Sequence, residues 1–378
     1  MPIHPNTNLI GAPDGRRRLD TPALLIDLPA LTRNIARMAE FARARGIALR
    51  PHIKTHKSIE IARRQVAAGA IGVCCVTLGE AEIMVDGGIP GVLITSPAVT
   101  ESKIARLIAL AGRAKPGEVM VALDHPSNLA DLAKAAASLK RPLDVLVDYG
   151  AGYNRTGAAS EAAVLELAAA VMHEPTLKLR GLQAYAGNIQ HIPERVRRHD
   201  AAKGLGAAVE RILAEAARQG IHFEIVTGAG TGTHDVDGDA RIFTELQVGS
   251  YVFMDVDYCD ALAEGSSDLP FKTALFVQTA VVSVNAPDWV TTDGGVKSFA
   301  TDGPLPRIAR GVDPASRYVL FGDEHGKLFA VGDRPTLGAR IELVTPHCDP
   351  TVNLHDVFHV VEDDKLVAIW QIDARGKR

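Results

Sequence analysis

The chain has 378 residues, 47% hydrophobic and 23% charged, which supplies a sizeable core and length for two domains and excludes a disordered or fibrous protein. Its 41 basic and 45 acidic residues give a formal charge of −4, so nothing advertises nucleic acid or an anionic membrane, and a small-molecule partner is expected. Four cysteines at 74, 75, 259 and 348 make neither a disulfide framework nor a four-sulfur zinc site, and no apolar run reaches membrane-span length, so reduced thiols and a cytoplasmic location are expected.

In chain order, an early strand is expected at 22–27. Strand-length apolar runs then follow near 48–53, 72–77, 92–96, 119–124, 143–149, 177–185, 223–229 and 244–253. Between most of them lie segments of helical spacing and propensity, such as 101–110 and the Ala/Leu-rich stretch 161–173. Eight such alternating units predict a parallel (β/α)8 barrel of TIM type over residues 28–265, with an open doubly wound sheet as the alternative. Beyond 265 the helical periods almost vanish. Apolar, β-branched runs at 273–282, 317–321, 340–344 and 366–370 are separated by Gly, Pro and Asp. These predict a mainly β second domain over 266–378, joined by the amino-terminal strand within 1–27.

Reactive groups on such a barrel sit on loops after the strands. Lys54 falls one residue past the first predicted strand, in the run Arg50-Pro51-His52-Ile53-Lys54-Thr55-His56-Lys57. A lysine set among other cationic groups can supply neutral amine to a carbonyl cofactor. Lys57 is the rival nucleophile, and a basic solvated loop is the plain reading. The fifth strand runs into a glycine-containing loop bearing Arg155, which could bond an anionic ring oxygen or lie on the surface. The sixth ends near Tyr185 and His191, a phenol and an imidazole at the same rim. The seventh gives way to Gly228-Ala229-Gly230-Thr231-Gly232, whose amides could converge on a phosphate, although a flexible loop has the same composition. Gly249 and Ser250, after the eighth strand, could complete that cup.

Near the carboxyl end, His347 and Asp349 stand two positions apart and would face the same side of an extended strand. One nitrogen and one hard oxygen suit manganese, magnesium or a similar ion completed by water and substrate oxygens. Cys348 between them would point the other way and reads as a buried structural thiol. Asp323-Glu324-His325 reads as a turn.

With these residues together, the sequence resembles the D-threonine aldolase family, in the alanine racemase-like group of pyridoxal-phosphate enzymes that also contains the D-serine dehydratases. The resemblance runs from Leu19-Asp20-Thr21-Pro22-Ala23 through Pro51–Lys57 to His347-Cys348-Asp349. It implies a homodimer acting on D-β-hydroxy-α-amino acids with pyridoxal 5'-phosphate and a divalent metal, manganese first and magnesium or cobalt next. Lys54 would hold the cofactor, Arg155 would bond its phenolate oxygen and Tyr185 would lie near its ring. Gly230, Thr231, Gly232, Gly249 and Ser250 would hold its phosphate, His347 and Asp349 the metal, and His191 would be the base. The related dehydratases look like His-x-Cys where this chain has His-x-Asp; a thiolate favours zinc and a carboxylate favours harder ions, so aldolase is preferred over dehydratase. A racemase, a non-enzymatic pyridoxal-phosphate carrier and a metal-dependent hydrolase are the remaining alternatives.

Overall fold

The structure is a computed structural model that describes residues 4–152, 155–263 and 269–378. Its chain divides into two compact units. One comprises Met38–Lys54, Ile59–Gly249 and Gly376–Arg378; the other takes in the amino-terminal residues through Arg37, Thr55–Ser58 and Ser250–Arg375. The expected domain boundary at 265/266 lies outside the described residues.

The first strand of the chain, β1, is Ala23–Asp27. Eight short strands then build the first unit: β2 (Ala48–Leu49), β3 (Val73–Cys75), β4 (Val92–Ile94), β5 (Val119–Leu123), β6 (Leu143–Asp148), β7 (Leu177–Ala184), β8 (Ile225–Gly228) and β9 (Glu245–Leu246). Every neighbouring pair from β3 to β9 is parallel, and β9 pairs with β2. The ring closes where His52 bridges Cys74 and Ile71 N donates to Leu49 O. This is the predicted parallel barrel.

Strands β3 to β6 are buried along their whole length, as strands covered by helices on one face and core on the other must be. Cys74, Leu93, Met120, Leu146 and Ile225 come from different strands and meet in one buried cluster. The helix Glu101–Arg113 shows how the outer layer forms. Ile104, Leu107, Leu110 and Ala111 recur at three- and four-residue spacing and are buried, while the Thr100 side chain accepts from Lys103 N and caps the first turn.

The first and eighth strands are shorter than the sequence suggests. Arg50 N still donates to Leu246 O and His52 N to Val248 O, but Pro51 has no N–H to offer on the β3 side, where its carbonyl accepts from Cys74 N. The chain then tightens into a 3-10 turn at Ile53–Thr55. After β9 a similar turn forms at Ser250–Val252.

In the other unit, β1 is joined by β10 (Leu275–Ser283), β11 (Val290–Thr292), β12 (Arg307–Arg310), β13 (Arg317–Leu320), β14 (Gly326–Phe329), β15 (Arg340–Val344), β16 (Val357–Glu362) and β17 (Lys365–Gln371). The sheet runs β13-β14-β11-β10-β1-β16-β17, with β15 also on β10 and β12 on β15. Only the β1–β16 pair is parallel among these described pairings. Here β1 lies between β10 and β16, so the earliest strand is an interior strand of the late sheet. Leu19, Leu25, Val361 and Leu366 pack in one buried cluster there.

Candidate active site

Within the barrel unit a cleft of about 110 Å3 opens, and its wall includes Lys54, Asp148, Arg155, Gln183, Tyr185 and Gln247. Lys54 is half-buried in the 3-10 turn after β2, and its backbone N donates to His52 Nδ1 at 3.3 Å. That bond leaves Nε2 as the protonated ring nitrogen of a neutral His52, 3.2 Å from Thr95 Oγ1, which in turn donates to Cys75 O at 3.2 Å. Lys57, the rival, is buried at φ 53° and does not line the cleft; its carbonyl accepts from Ala374 N. The structure therefore brings Lys54, Arg155 and Tyr185 to one cleft. Among the described residues, His191, Gly230, Thr231, Gly232 and Gly249 do not line it.

Sequence reasoning missed the polar wall of this cleft. Asp148 ends β6 and is buried; its Oδ1 accepts from Gln183 Nε2 at 2.9 Å and its Oδ2 from Thr156 Oγ1 at 3.0 Å. Burial pushes its carboxyl up to about 6, against the opposing pull of those two hydrogen bonds, with Asp124 adding repulsion and Arg155 attraction. Gln183 Oε1 accepts from Gln247 Nε2 at 3.2 Å, and Gln247 Nε2 also reaches Thr227 Oγ1 at 3.1 Å. A buried polar chain thus crosses the strand ends β6, β7, β8 and the segment after β9. The signal in the sequence was a charged or amide residue closing an apolar strand, as in Leu143-Asp144-Val145-Leu146-Val147-Asp148.

The Gly230–Gly232 turn follows β8 and packs on the segment that carries His191. Gly232 N donates to Gln190 Oε1 at 3.0 Å, and a Cβ on Gly232 would stand 2.0 Å from the Gln190 carbonyl oxygen, so only glycine fits. Next along, Thr233 Oγ1 donates to Asp237 Oδ2 at 2.5 Å, and Gln190 Nε2 donates to Thr233 Oγ1 at 3.1 Å. Asp237 is 4% exposed, and burial raises its carboxyl to about 7, with the Thr233 bond opposing and Asp235 assisting. Its folded value lies above the ordinary value of 3.8, so the stability it contributes is full below that value and is lost as pH rises through 7. Between pH 5 and pH 9 the Asp237→Asn variant should gain roughly 3 kcal/mol relative to the parent. Denaturant melts of both proteins at the two pH values measure this, and a difference that does not change with pH would contradict it.

In the other unit, the His347–Asp349 motif is not on a strand. His347 is extended (φ −139°, ψ 124°) but caps the short helix Cys348–Val352, so Asp349 sits in a first helical turn and the alternation argument for a shared face does not hold. The reason is local: Asp349 suits the positive end of a helix, and Pro350 is tolerated in a first turn, where its missing N–H would have no intrahelical partner. His347 Nδ1 is 3.0 Å from Asp302 Oδ2, and Thr351 Oγ1 donates to His347 O at 2.8 Å. Asp255, fully buried, accepts from Cys348 N and Tyr258 N, each at 2.8 Å, and so ties the start of this helix to the start of the helix Val256–Ala263. Cys348 is fully buried, as expected for a structural thiol, and burial pushes it well up. Among the described residues no three His, Cys, Asp or Glu side chains form a cation cage. Asp323-Glu324-His325 is a turn between β13 and β14, with Lys297 Nζ 2.7 Å from Glu324 Oε1. Among the described residues no helix is long and apolar enough to cross a membrane.

The family described as alanine racemase, N-terminal domain, matches residues 26–257, and a serine dehydratase domain matches residues 274–361. The chain is 39% identical over 368 residues to D-threonine aldolase of Arthrobacter sp, covering 96% of this chain and 94% of that protein. It is 36% identical over 364 residues to 3-hydroxy-D-aspartate aldolase of Paracoccus denitrificans (strain Pd 1222), covering 95% and 93%. The crystal structure of D-threonine aldolase from Filomicrobium marinum superimposes with a TM-score of 0.90 at 38% identity, covering 96% of both chains. With a barrel bearing Lys54 at its rim, these matches make the chain a lyase of the alanine racemase-like family, grouped with the D-threonine aldolases.

Proposed function

We propose that this enzyme cleaves D-β-hydroxy-α-amino acids, D-threonine among them, to glycine and an aldehyde, using pyridoxal 5'-phosphate and a divalent metal. The observation that carries the proposal is the cleft that holds the Lys54 amine together with Arg155 and Tyr185. The residues suit the cofactor: a lysine, a cation for the phenolate and a phenol line one cleft. When bound, the cofactor supplies an electron sink for the pair released from the bond between the α- and β-carbons.

Lys54 would hold the cofactor, Arg155 would bond its phenolate oxygen and Tyr185 would lie near its ring. Gly230, Thr231, Gly232, Gly249 and Ser250 form the phosphate cup. By the family resemblance His191, which lies outside the cleft lining, would accept the proton of the substrate's β-hydroxyl as that oxygen becomes the aldehyde carbonyl, and the α-carbon would then take a proton to leave glycine. His347 and Asp349 offer an imidazole nitrogen and a carboxylate oxygen, a donor pair that fits manganese, magnesium or cobalt with positions left for water or substrate oxygen. Such an ion supplies positive charge to a hydroxyl oxygen and makes its proton easier to remove. The family resemblance supports a homodimer.

The match of a serine dehydratase domain to residues 274–361 favours one second reading, elimination of water from the same substrates. Products separate the two. With pyridoxal phosphate, manganese and D-threonine, the expected products are glycine and acetaldehyde, absent with L-threonine and lost on chelation. Formation of 2-oxobutanoate and ammonia would replace the aldolase reading with the dehydratase.

A further inference from the structure

We infer that Gln190 is a positioning residue that sets the grip of the Gly230–Gly232 turn on the cofactor's phosphate ester; this rests on the assignment of that turn to the phosphate. Gln190 is 1% exposed and lies at the end of the 3-10 turn Gly187–Ile189. Its side-chain amide bonds neighbouring backbone and the Thr233 hydroxyl. Nε2 donates to Ala186 O at 3.2 Å and to Thr233 Oγ1 at 3.1 Å, while Oε1 accepts from Gly232 N at 3.0 Å. The turn is fitted around this one side chain, since a Cβ on Gly230 would stand 2.4 Å from Gln190 Oε1. A second contact closes the other side: Arg198, also buried, donates from Nε to Gly232 O at 3.0 Å and from its terminal nitrogen to Pro193 O at 3.2 Å.

These bonds have a consequence for binding. The Gly232 amide is committed to Gln190, so the part Gly232 plays in the cup is to fix the shape of the turn. A turn containing two glycines has many conformations in solution, and freezing it on binding weakens affinity. Gln190 and Arg198 freeze it beforehand, which is preorganisation of the anion site. The contribution is specific to the phosphate, because the lysine, arginine and phenol of the cleft act on the ring.

The dissociation constants of pyridoxal phosphate and of pyridoxal, which lacks the phosphate, test this in the full-length enzyme. The parent should favour the phosphate ester strongly. In Gln190→Ala that preference should fall about tenfold or more, with pyridoxal affinity little changed, while the cofactor-free protein melts lower because buried polar partners lose their bonds. A purely structural role would weaken both ligands together. Gln190→Met keeps the side-chain volume and loses all of these hydrogen bonds; it should fall as far as Ala and serves if the Ala variant does not fold. An unchanged preference in whichever variant folds overturns the role of Gln190 alone. A parent with no preference for the phosphate ester overturns the phosphate assignment as well.

Discussion

Lys54→Ala should abolish the visible absorption that the lysine-bound cofactor gives and lower turnover by roughly a thousandfold or more, about 4 kcal/mol of activation free energy. Lys54 is the lysine of the cleft wall, and its turn is held by the His52 bond to its backbone, so the substitution removes the amine without removing that bond. The rival, Lys57, has its backbone fixed by Ala374 and lies outside the cleft lining. Absorption spectra after cofactor addition, with Lys57→Ala as the companion, decide between them. A parent-like band in Lys54→Ala that disappears in Lys57→Ala would move the nucleophile to position 57.

Glu245→Ala should destabilise the barrel by about 3–5 kcal/mol, because it leaves a buried guanidinium without its counter-charge. Arg50 and Glu245 are both nearly inaccessible, and they meet fork to fork, Nε to Oε1 at 2.8 Å and the terminal nitrogen to Oε2 at 2.9 Å. Burial alone would lower the guanidinium's proton affinity, but the hydrogen bonds and charge of Glu245 outweigh it and raise it. The pair also spans the junction of the first and last barrel strands, where Ala48 faces Glu245 and Leu49 faces Leu246. Replacing both partners by apolar residues of similar size, Arg50→Met with Glu245→Leu, should recover most of the loss. Chemical denaturation of the three proteins measures it; a single variant as stable as the parent would mean that water reaches Arg50.

The barrel was legible in the sequence because its strands are nearly pure apolar runs and its helices carry their apolar residues at three- and four-residue spacing. That regularity also singled out Lys54 by its place just beyond a strand, and the structure puts it in the cleft wall. Strand ends were less visible. At 48–53 a proline interrupts one ladder, and at 244–253 the chain turns at Ser250 although Val252 and Phe253 continue the apolar pattern. The His347–Asp349 motif was found by residue type but assigned to a strand, because a helix of five residues leaves almost no periodicity. Asp148, Gln183, Gln190 and Gln247 stayed hidden for another reason. Their hydrogen bonds join residues distant in the chain, so a polar residue closing an apolar strand marks a position without naming its partners.

The placement of β1 bears on how the chain is made. Leu24 O and His359 Nδ1 meet at 3.1 Å across 335 residues of sequence, and the strand's other neighbour, β10, begins at Leu275. During synthesis β1 therefore leaves the ribosome ahead of the other described strands and is among the last of them to find partners, while the barrel strands β2 to β9 are all translated in the interval. It is an apolar segment with both edges unsatisfied for most of translation, the kind of segment that pairs wrongly with other chains. Its safe delivery to the sheet between β10 and β16 makes the late half of the protein the slow, aggregation-exposed step of maturation, since pairing of such remote strands is slow.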